Sequence, residues 1–550
     1  MTQTRTFLLL AWLMVATLLW MEWGKEQQAP VAPATPTAAP AATLPTGGVP
    51  AATPTGAAGA PAVASAVASA PLVRLRNDVL DLQLDGIQVV RAELLAYRQT
   101  REAGSPPVVL FDNDAAQAFS ASSSWRGANG RAIPLQPEGT VREHVLADGA
   151  TQVEAVFSGR LADGVTLRRT YRLDRGSYAL RVHDEVLNAG SASWTGQVDR
   201  RLQRIPPVPK RGLTNPEAFS LSGAAWYSPQ DKYEKRKFPD FADKPLDPDA
   251  PKGKEVKGGW IALSQHYFLT AWIPQADQGA LYSLRVAGPL HAIDADGPQA
   301  TLAPGQKVTS DATLWVGPKL AAQLEPVAPG LEKAMDYGYF TVLSQPIHSL
   351  LTLLHKLTHN WGWAIVLLVI LIKLALYPLS AAQYRSMAKM RKFQPRIEQL
   401  KERYGDDKQK FQMAMLELYK KEKINPAGGC LPILIQMPVF LALYYVLLEA
   451  VELRQAPWIL GWINDLTARD PYFILPVVNG AVMWLTQKMT PMVGMDPMQK
   501  KMMQMMPLVM AVMFAFFPAG LVLYWVTNGA LGMLQQWWNT KRYAEEPAKA

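Results

Sequence analysis

The chain has 550 residues, too many for a single domain, and 49% of them are hydrophobic. Its net charge of +9 does not predict binding to nucleic acid, because the basic residues lie mainly between apolar segments, where they determine membrane topology. The single cysteine, Cys430, excludes an intramolecular disulfide bond. The composition therefore predicts a multi-domain membrane protein.

Residues 1–28 predict a membrane anchor. An apolar run from Phe7 to Trp23 follows Arg5, and this run is compatible with either a cleaved signal peptide or an uncleaved anchor. We favour an anchor with a cytoplasmic N-terminus, because tryptophans rather than a small-residue cleavage site follow the apolar core. Residues 29–71 contain no charged or aromatic side chain and are rich in alanine and proline, so they predict a disordered linker.

Residues 72–330 predict a large all-β domain, most simply a sandwich. Apolar and polar side chains alternate along short segments, for example from Leu80 to Leu84, and turn signals separate the segments. The spacing of residues indicates no metal site, no catalytic nucleophile and no paired catalytic carboxylates. We interpret the cluster His183-Asp184-Glu185 as a group on the domain surface.

Residues 331–358 predict an amphipathic helix that is broken at Pro346 and lies on the membrane surface. Apolar residues recur there at helical spacing, and charged residues are few. A helix packed under the β domain is the alternative, and the sequence leaves both interpretations open.

The segment from Trp361 to Leu379 predicts a central transmembrane helix, within a span at about residues 361–382, and it carries one charge, Lys373. A helix of this length is about 28 Å long, close to the hydrocarbon thickness of a bilayer. A lone ammonium group in such a helix usually faces protein or a water-filled cavity, although its stem can also snorkel to the surface. The next polar residues, Gln383 and Arg385, are too distant for full snorkelling, so we favour a functional Lys373.

Residues 383–429 predict a basic helical hairpin in the cytoplasm, since helical spacing occurs on both sides of a break and twelve basic residues accompany six acidic ones. Arg385, Lys389 and Arg391 belong to the first part of this hairpin, and Gly405, Asp406 and Asp407 form the break in the helical pattern.

Three further spans are predicted, at about residues 431–451, 471–487 and 506–527. Basic residues in the short loops predict five spans in total, with both termini in the cytoplasm and residues 29–358 on the opposite side. Residues 359–542 then form the helical core, and residues 543–550 form a short tail.

Polar residues occur in these spans where a helix facing lipid would carry leucine, notably Gln436, Tyr377 and Asn528. One interpretation is hydrogen bonding between helices together with interfacial aromatic residues. The other is a partly hydrated groove around Lys373, which would attract an acidic or polar peptide segment from the cytoplasm.

Specific motifs run through the same region. They include Tyr377-Pro378-Leu379 after Lys373, Gly405-Asp406-Asp407-Lys408, Gly428-Gly429-Cys430, Gln436-Met437-Pro438, Val451 to Pro457, Asp496-Pro497-Met498 and Gly520 to Trp525. With these motifs, about residues 337–542 resemble the YidC/Oxa/Alb family of membrane protein insertases. The anchor and the large external domain resemble the members of that family in Gram-negative bacteria.

The resemblance implies an insertase and folding chaperone of the bacterial inner membrane, not an enzyme, that works without a cofactor or metal. It implies nascent or released membrane proteins as substrates, the Sec translocon as a partner, membrane lipid as the surroundings and only weak ribosome contact through the short tail. It also implies a periplasmic β-supersandwich similar to sugar mutarotases. No sequence-specific contact with nucleic acid is expected.

For the site, the resemblance implies a groove charge at Lys373, where the family usually has arginine; the charge is kept, but the bidentate guanidinium is lost. The implied substrate-contacting residues are Met437, Phe440, Tyr524 and Trp525. A small-anion transporter using Lys373 is an alternative that predicts inverted repeats, which are not visible in the sequence. A membrane-anchored carbohydrate enzyme would need carboxylate or histidine pairs in the β domain, and none stands out.

Overall fold

The computed structural model describes residues 71–102, 104–208, 220–247, 252–404, 407–422, 431–490 and 497–544. The predicted anchor at residues 1–28 and the predicted linker up to residue 70 lie outside the described residues. Those that are described form a β domain followed by a set of helices, and both belong to one compact unit.

Twenty strands in the described residues form two sheets. The strands are β1 Val73–Arg76, β2 Leu80–Leu84, β3 Gln88–Arg98, β4 Pro107–Phe111, β5 Phe119–Gly127, β6 Gln136–Pro137, β7 Glu143–Val145, β8 Gln152–Arg160, β9 Val165–Asp174, β10 Ala179–Asn188, β11 Trp194–Arg204, β12 Gly223–Ser228, β13 Lys232–Lys237, β14 Lys254–Lys257, β15 Trp260–Ser264, β16 Phe268–Pro274, β17 Gly279–Ala287, β18 Leu290–Asp296, β19 Ala300–Leu302 and β20 Lys307–Pro318.

The two sheets pack face to face. The 11-stranded sheet has the order β14-β17-β18-β11-β5-β3-β2-β1-β7, with β19 beside β11 and β4 beside β3. The 9-stranded sheet has the order β13-β12-β15-β16-β20-β10-β9-β8-β6. Antiparallel pairing dominates, although β1 and β7 run parallel. The predicted all-β domain is therefore confirmed.

The alternating pattern of the sequence is what creates the core between the sheets. Leu80, Leu82 and Leu84 are fully buried, because every second side chain of a strand points to the same face. Burial of each such side chain contributes roughly 1.5–3 kcal/mol relative to exposure. Large aromatic side chains such as Trp272 and Trp315 complete the core.

The interpretation of His183-Asp184-Glu185 as a surface group was wrong for its middle residue. His183 is exposed, with its Nδ1 atom 2.6 Å from Asp311 Oδ1, but Asp184 points into the core because neighbouring residues of β10 alternate between faces. Asp184 accepts two hydrogen bonds from the guanidinium group of Arg169, at 2.6 and 2.7 Å. Both side chains are fully buried, so this pair joins two neighbouring strands inside the sandwich.

The helices follow the β domain. They are α1 Ala321–Leu324, α2 Thr341–Thr358, α3 Trp361–Ala375, α4 Tyr377–Lys392, α5 Gln394–Tyr404, α6 Lys408–Lys421, α7 Leu431–Glu449, α8 Ile474–Met489, α9 Pro497–Phe514 and α10 Ala519–Ala544, and 3₁₀ turns lie at Phe238–Asp240, Leu331–Ala334, Gly338–Phe340 and Val451–Leu453.

The segment 331–358 combines the two alternatives that the sequence left open. Its first part forms 3₁₀ turns in which Leu331 and Met335 are buried, whereas α2 exposes Val342 and Leu357 to the surroundings. The predicted break at Pro346 is wrong, because α2 continues through it. Proline removes one backbone N–H near the start of the helix, and the following turns keep their hydrogen bonds.

The predicted central span is not a single helix. α3 ends at Ala375, and the segment Tyr377–Arg385 of α4 is bent by 61° from it. Pro378 explains this bend, because it lacks the N–H that would bond to the carbonyl of Leu374 and its ring would clash with that carbonyl. Among the described residues, no single helix meets the length and hydropathy criteria for crossing a membrane, whereas this bent pair meets them together.

The predicted span at residues 506–527 was also wrong, because two helices share it. α9 ends at Phe514, and α10 starts at Ala519, after Pro518. In the first turn of α10, Gly520 N donates to Leu466 O at 2.8 Å. The continuous apolar run hides the turn from a hydropathy argument, although proline is favoured where a helix begins. The predicted spans at 431–451 and 471–487 each contain one helix, α7 and α8.

The described residues of the predicted hairpin form two helices, α5 and α6, whereas its first ten residues belong to α4. Arg396, near the start of α5, donates to Glu422, just after α6, at 2.8 Å, so the two helices run antiparallel. Asp407 caps α6 by accepting hydrogen bonds from the backbone of Gln409 and Lys410.

Candidate functional site

A cavity of about 350 Å³ lies between α3 and α10, and Lys373 is one of its walls. The lining residues are Ile370, Lys373, Leu374, Tyr377, Leu531, Leu534, Gln535 and Trp538. Seven of the eight are apolar or uncharged, so the ammonium group supplies the charge of the lining. The cavity is therefore a largely apolar pocket with one cationic group, less polar than the partly hydrated groove that the sequence predicts.

The ammonium group lies beside a glycine of the opposite helix. A Cβ atom added to Gly532 would lie 3.5 Å from Lys373 Nζ, an ordinary van der Waals distance, so the lysine packs directly against α10 at this point. Tyr384 donates its hydroxyl proton to the Gly532 carbonyl at 3.0 Å, which keeps α4 close to α10. No acidic side chain of the described residues lies near enough to interact with Lys373.

Polar groups of α10 border the same cavity. Gln535 donates from Nε2 to the Lys373 carbonyl at 3.5 Å, and its Oε1 atom is buried without a partner in the described part of the chain. Tyr377 donates to Asn539 Oδ1 at 3.3 Å, and Asn539 is fully buried. The wall of the cavity therefore holds an ammonium group, and a buried amide oxygen without a partner in the described residues belongs to the same lining.

Sequence analysis missed Gln535, Trp538 and Asn539, because it ended the last span at residue 527. α10 continues to Ala544, and its face toward α3 repeats at helical spacing through Gly532, Gln535 and Asn539. This 3.5-residue spacing was the signal that could have identified the face.

The predicted substrate-contacting aromatic residues lie together on α7 and α10. The Phe440 ring stacks on Tyr524 at 5.9 Å and meets the Trp525 ring edge-on at 4.9 Å, measured between centroids. The Phe514 ring also packs against Trp525, with the centroids 5.2 Å apart. Met437 is exposed one helical turn before Phe440, so this aromatic cluster has a flexible apolar side chain at its border.

The cavity and the aromatic cluster are separate. Tyr524 and Gln535 are eleven residues apart on α10, which corresponds to about 16 Å along a helix axis. Gln436 and Asn528, predicted as polar groove residues, are half-buried but do not belong to the lining of the cavity. The structure thus joins Lys373 with Tyr377 but not with the other predicted polar residues.

The predicted hairpin residues are only partly described. Arg385 is an exposed residue of α4, and Asp407 is the cap of α6. Lys389 and Arg391 belong to α4, but their side chains lie outside the described part, as do Gly405 and Asp406 entirely. Within the described ranges, no group of three or more His, Cys, Asp or Glu residues is arranged to hold a metal ion.

Two family models match this chain and together cover most of it. A model described as YidC periplasmic domain matches residues 72–350, and one described as 60Kd inner membrane protein matches residues 353–546. The membrane protein insertase YidC of Xanthomonas campestris pathovar campestris is 52% identical over 578 residues, which cover 100% of this chain and 99% of the relative. The membrane protein insertase YidC of Stenotrophomonas maltophilia is 54% identical over 571 residues, covering 100% and 98%.

Solved structures give weaker similarities. An active YidC insertase crystal structure with its first transmembrane domain resolved has a TM-score of 0.36 at 19% identity, covering 85% of this chain and 94% of that one. A galactose mutarotase related enzyme from Lactobacillus acidophilus has a TM-score of 0.29 at 10% identity, covering 45% and 97%. Both scores are too low to support an argument about this chain.

Proposed function

The chain belongs to the YidC family of membrane protein insertases, and we propose that it acts by admitting the polar end of a substrate to the Lys373 cavity. As a member of this family it is an inner membrane protein with a periplasmic domain, and its substrates are membrane proteins. The observation that carries the proposal is a lysine in a cavity wall with no carboxylate partner in the described residues.

The cavity would lower the free-energy barrier that the polar end of a substrate meets on entering the membrane. An acidic or polar segment that entered hydrocarbon directly would lose its hydrogen bonds to water, at a cost of several kcal/mol for each unpaired group. Lys373 and Gln535 would replace some of those bonds, and a charge-assisted bond to an ammonium group is stronger than a neutral one.

The apolar part of the substrate would then move along Met437 and the aromatic cluster into lipid. Partition into lipid would drive this step with about 0.8 kcal/mol per buried methylene group, so no nucleotide is required. Stacked aromatic rings beside an exposed methionine offer an apolar surface that tolerates different sequences, which suits an insertase with several substrates.

The proposal includes a topology. Five crossings from a cytoplasmic N-terminus would leave the C-terminus on the opposite side, so the predicted count does not agree with a cytoplasmic C-terminus. Because α9 and α10 divide the predicted last span, we propose six crossings: the anchor, α3, α7, α8, α9 and α10. Both termini and the hairpin of α5 and α6 are then cytoplasmic, residues 29–358 are periplasmic, and the loops follow the positive-inside rule.

We further propose the domain limits and partners that the sequence predicts. Residues 72–330 form the periplasmic domain, residues 331–358 form the connection to the membrane surface, and residues 359–542 form the insertase core. The core would act alone or with the Sec translocon and would also help substrates to fold. The basic hairpin supports a role at the cytoplasmic entrance, and the short, mildly basic tail supports only weak contact with a ribosome.

The experiment that tests the cavity is replacement of Lys373 by Arg, Ala or Glu in cells depleted of the native protein. Insertion is scored for a single-span substrate with an acidic N-terminal tail and for the same substrate with a neutral tail. Lys356→Ala serves as a matched control, because Lys356 is an exposed lysine of α2 that does not line the cavity.

We expect Lys373→Arg to support insertion and Lys373→Ala to reduce insertion of the acidic-tailed substrate about tenfold, the effect of losing one hydrogen bond to a charged group. Lys373→Glu should reduce it further, because like charges repel. Full insertion of both substrates by Lys373→Ala would refute the role of the cavity. A chloride flux through vesicles containing the protein that depended on Lys373 would instead support an anion transporter.

A further inference from the structure

Polar contacts join the β domain to the C-terminal end of α7, and we call this set of contacts the docking seam. Glu449, the last residue of α7, accepts a hydrogen bond from Ser220 at 2.6 Å through Oε1. One residue earlier, the carbonyl oxygen of Leu448 lies 2.8 Å from Nε2 of His266, in the turn between β15 and β16. The docking seam thus joins two separate segments of the β domain to one helix end.

The loop after α7 adds a second contact. Arg454 donates from one guanidinium nitrogen to the carbonyl oxygens of Arg98 and Gln99, at 2.6 and 3.0 Å. Gln455 donates to the Arg98 carbonyl at 3.0 Å. These bonds reach the end of β3, on the other sheet, and so the domain is held at more than one point.

A buried ion pair lies at the centre of the docking seam. Lys319, the residue after β20, is 0% exposed, and its Nζ atom lies 3.6 Å from Oε2 of Glu449, whose side chain is 2% exposed. Neither atom has a hydrogen-bond partner in the described residues, and the same is true of the buried hydroxyl groups of Tyr233 and Tyr337. The charges face each other at a distance that leaves no direct hydrogen bond.

The buried surroundings of Lys319 and Glu449 make it energetically costly to move the two side chains apart. Burial lowers the pKa of Lys319, because removal from water disfavours the ammonium form, and Glu449 and Asp336 oppose this shift. Asp336 is itself paired with Lys235, so Glu449 is the carboxylate left to compensate Lys319. In a poorly hydrated site, moving one charge away from the other is much more costly than in water.

A buried pair of this kind need not make the folded chain more stable, since apolar residues of similar volume can be equally stable. In some proteins a buried polar or ionic group instead favours one packing arrangement over others that have similar apolar contacts. We propose that Lys319 and Glu449 determine one docked orientation of the β domain on the end of α7.

The orienting role of Lys319 and Glu449 is independent of the proposed function, because it requires no substrate and no contribution from Lys373. It has a consequence for the core, since Met437 and Phe440 lie on the same helix as Glu449. The pair would link the orientation of the β domain to the position of the helix that carries these residues.

The test is a distance measurement by pulsed electron paramagnetic resonance on the full chain in detergent. Spin labels are attached at Val145 in β7 and at Tyr472 just before α8, both of which are exposed, after Cys430→Ser removes the native thiol. The variants are Glu449→Gln, Lys319→Met and the combination of the two. Glu93→Gln is the control, because it breaks the partly exposed pair of Arg91 and Glu93 within the β domain.

Each single variant should roughly double the width of the distance distribution, and the combined variant should be no wider than the broader single one, because the residues act as a pair. The control should keep the parent width. The proposal would be overturned if the single variants kept the parent width of the distance distribution. It would also be overturned if the increase in width in the combined variant equalled the sum of the two single increases.

Near-ultraviolet circular dichroism of the buried tryptophans checks that each variant is folded. Should a single variant lose that signal, Lys319→Met combined with Glu449→Met decides the question, because it buries no unpaired charge. If the distance distribution of this double methionine variant is as narrow as that of the parent protein, the proposal is contradicted, and a broader distribution supports it.

Discussion

The two regions of this molecule treat buried charge in opposite ways. In the β domain, Arg169 and Asp184 are fully buried and satisfy each other with two short hydrogen bonds. In the helical core, Lys373 borders a cavity without a carboxylate partner in the described residues. A charge that is fully paired stabilises one structure, whereas a charge without a partner is available to a group from outside. The comparison therefore predicts that the first charge affects folding and the second affects insertion.

The largest expected effect is on folding. Asp184→Asn removes the charge that compensates Arg169, so the free energy of unfolding should fall by about 3–5 kcal/mol, as is typical when one member of a buried pair is lost. Denaturant unfolding of the full chain in detergent, followed by tryptophan fluorescence, measures this change. Asp311→Asn at the exposed pair with His183 is the control. A loss below about 1 kcal/mol would show that the buried pair behaves like a surface pair.

A smaller effect should appear in insertion. Gly532→Leu would fill the space beside Lys373, and insertion of an acidic-tailed substrate should drop about tenfold as the charged contact is lost. Gly532→Ala is the matched variant, because its Cβ would make only an ordinary 3.5 Å contact with Nζ and should leave insertion nearly intact. Equal insertion by the two variants would argue against a cavity that must accept a substrate group.

The smallest effect concerns a pair of like charges in the β domain. Asp199 and Asp296 lie opposite each other on β11 and β18, and burial, together with the nearby Asp199 carboxyl, raises the pKa of Asp296 to about 7. Asp294 adds to this shift, and Arg285 opposes it. The folded domain therefore holds a proton that the unfolded chain releases above the ordinary pKa of 3.8.

This contribution to stability is complete below about pH 4 and is lost as the pH rises through about 7. The unfolding midpoint should accordingly fall between about pH 4 and pH 7, and Asp296→Asn should make this dependence shallower. Thermal unfolding at several pH values compares the two proteins. An identical pH dependence in the variant would exclude Asp296 as its source.

Much of the β domain could be predicted from sequence, because strand alternation is a local property. The period-two leucines from Leu80 to Leu84 correctly predicted a buried face. The same local argument failed for Asp184, because a charged residue is assigned to the surface unless its partner is known. That partner, Arg169, becomes adjacent only when β9 and β10 pair.

In the helical core, too, some features could be predicted from the sequence and others could not. Lys373 was identified because one charge in a long apolar segment is unusual, and its position in the wall of a cavity agrees with that reasoning. The limits of the helices were less accessible, since Pro378 and Pro518 interrupt segments whose hydropathy is continuous. Because the predicted last span ended at residue 527, it did not include Gln535, which lines the cavity, or Asn539, which accepts a hydrogen bond from the lining residue Tyr377.

The sequence by itself determined the family, the all-β character of the domain, the basic hairpin and the unusual lysine, because each depends on residue type and short-range spacing. The tertiary structure decided which charges are paired, where the apolar segments turn and how the β domain meets α7. Lys319 and Glu449 are 130 positions apart in the chain, and no local pattern connects them. Their burial together is a result of the fold, because only the packed arrangement of sheets and helices brings these two charges within reach of each other.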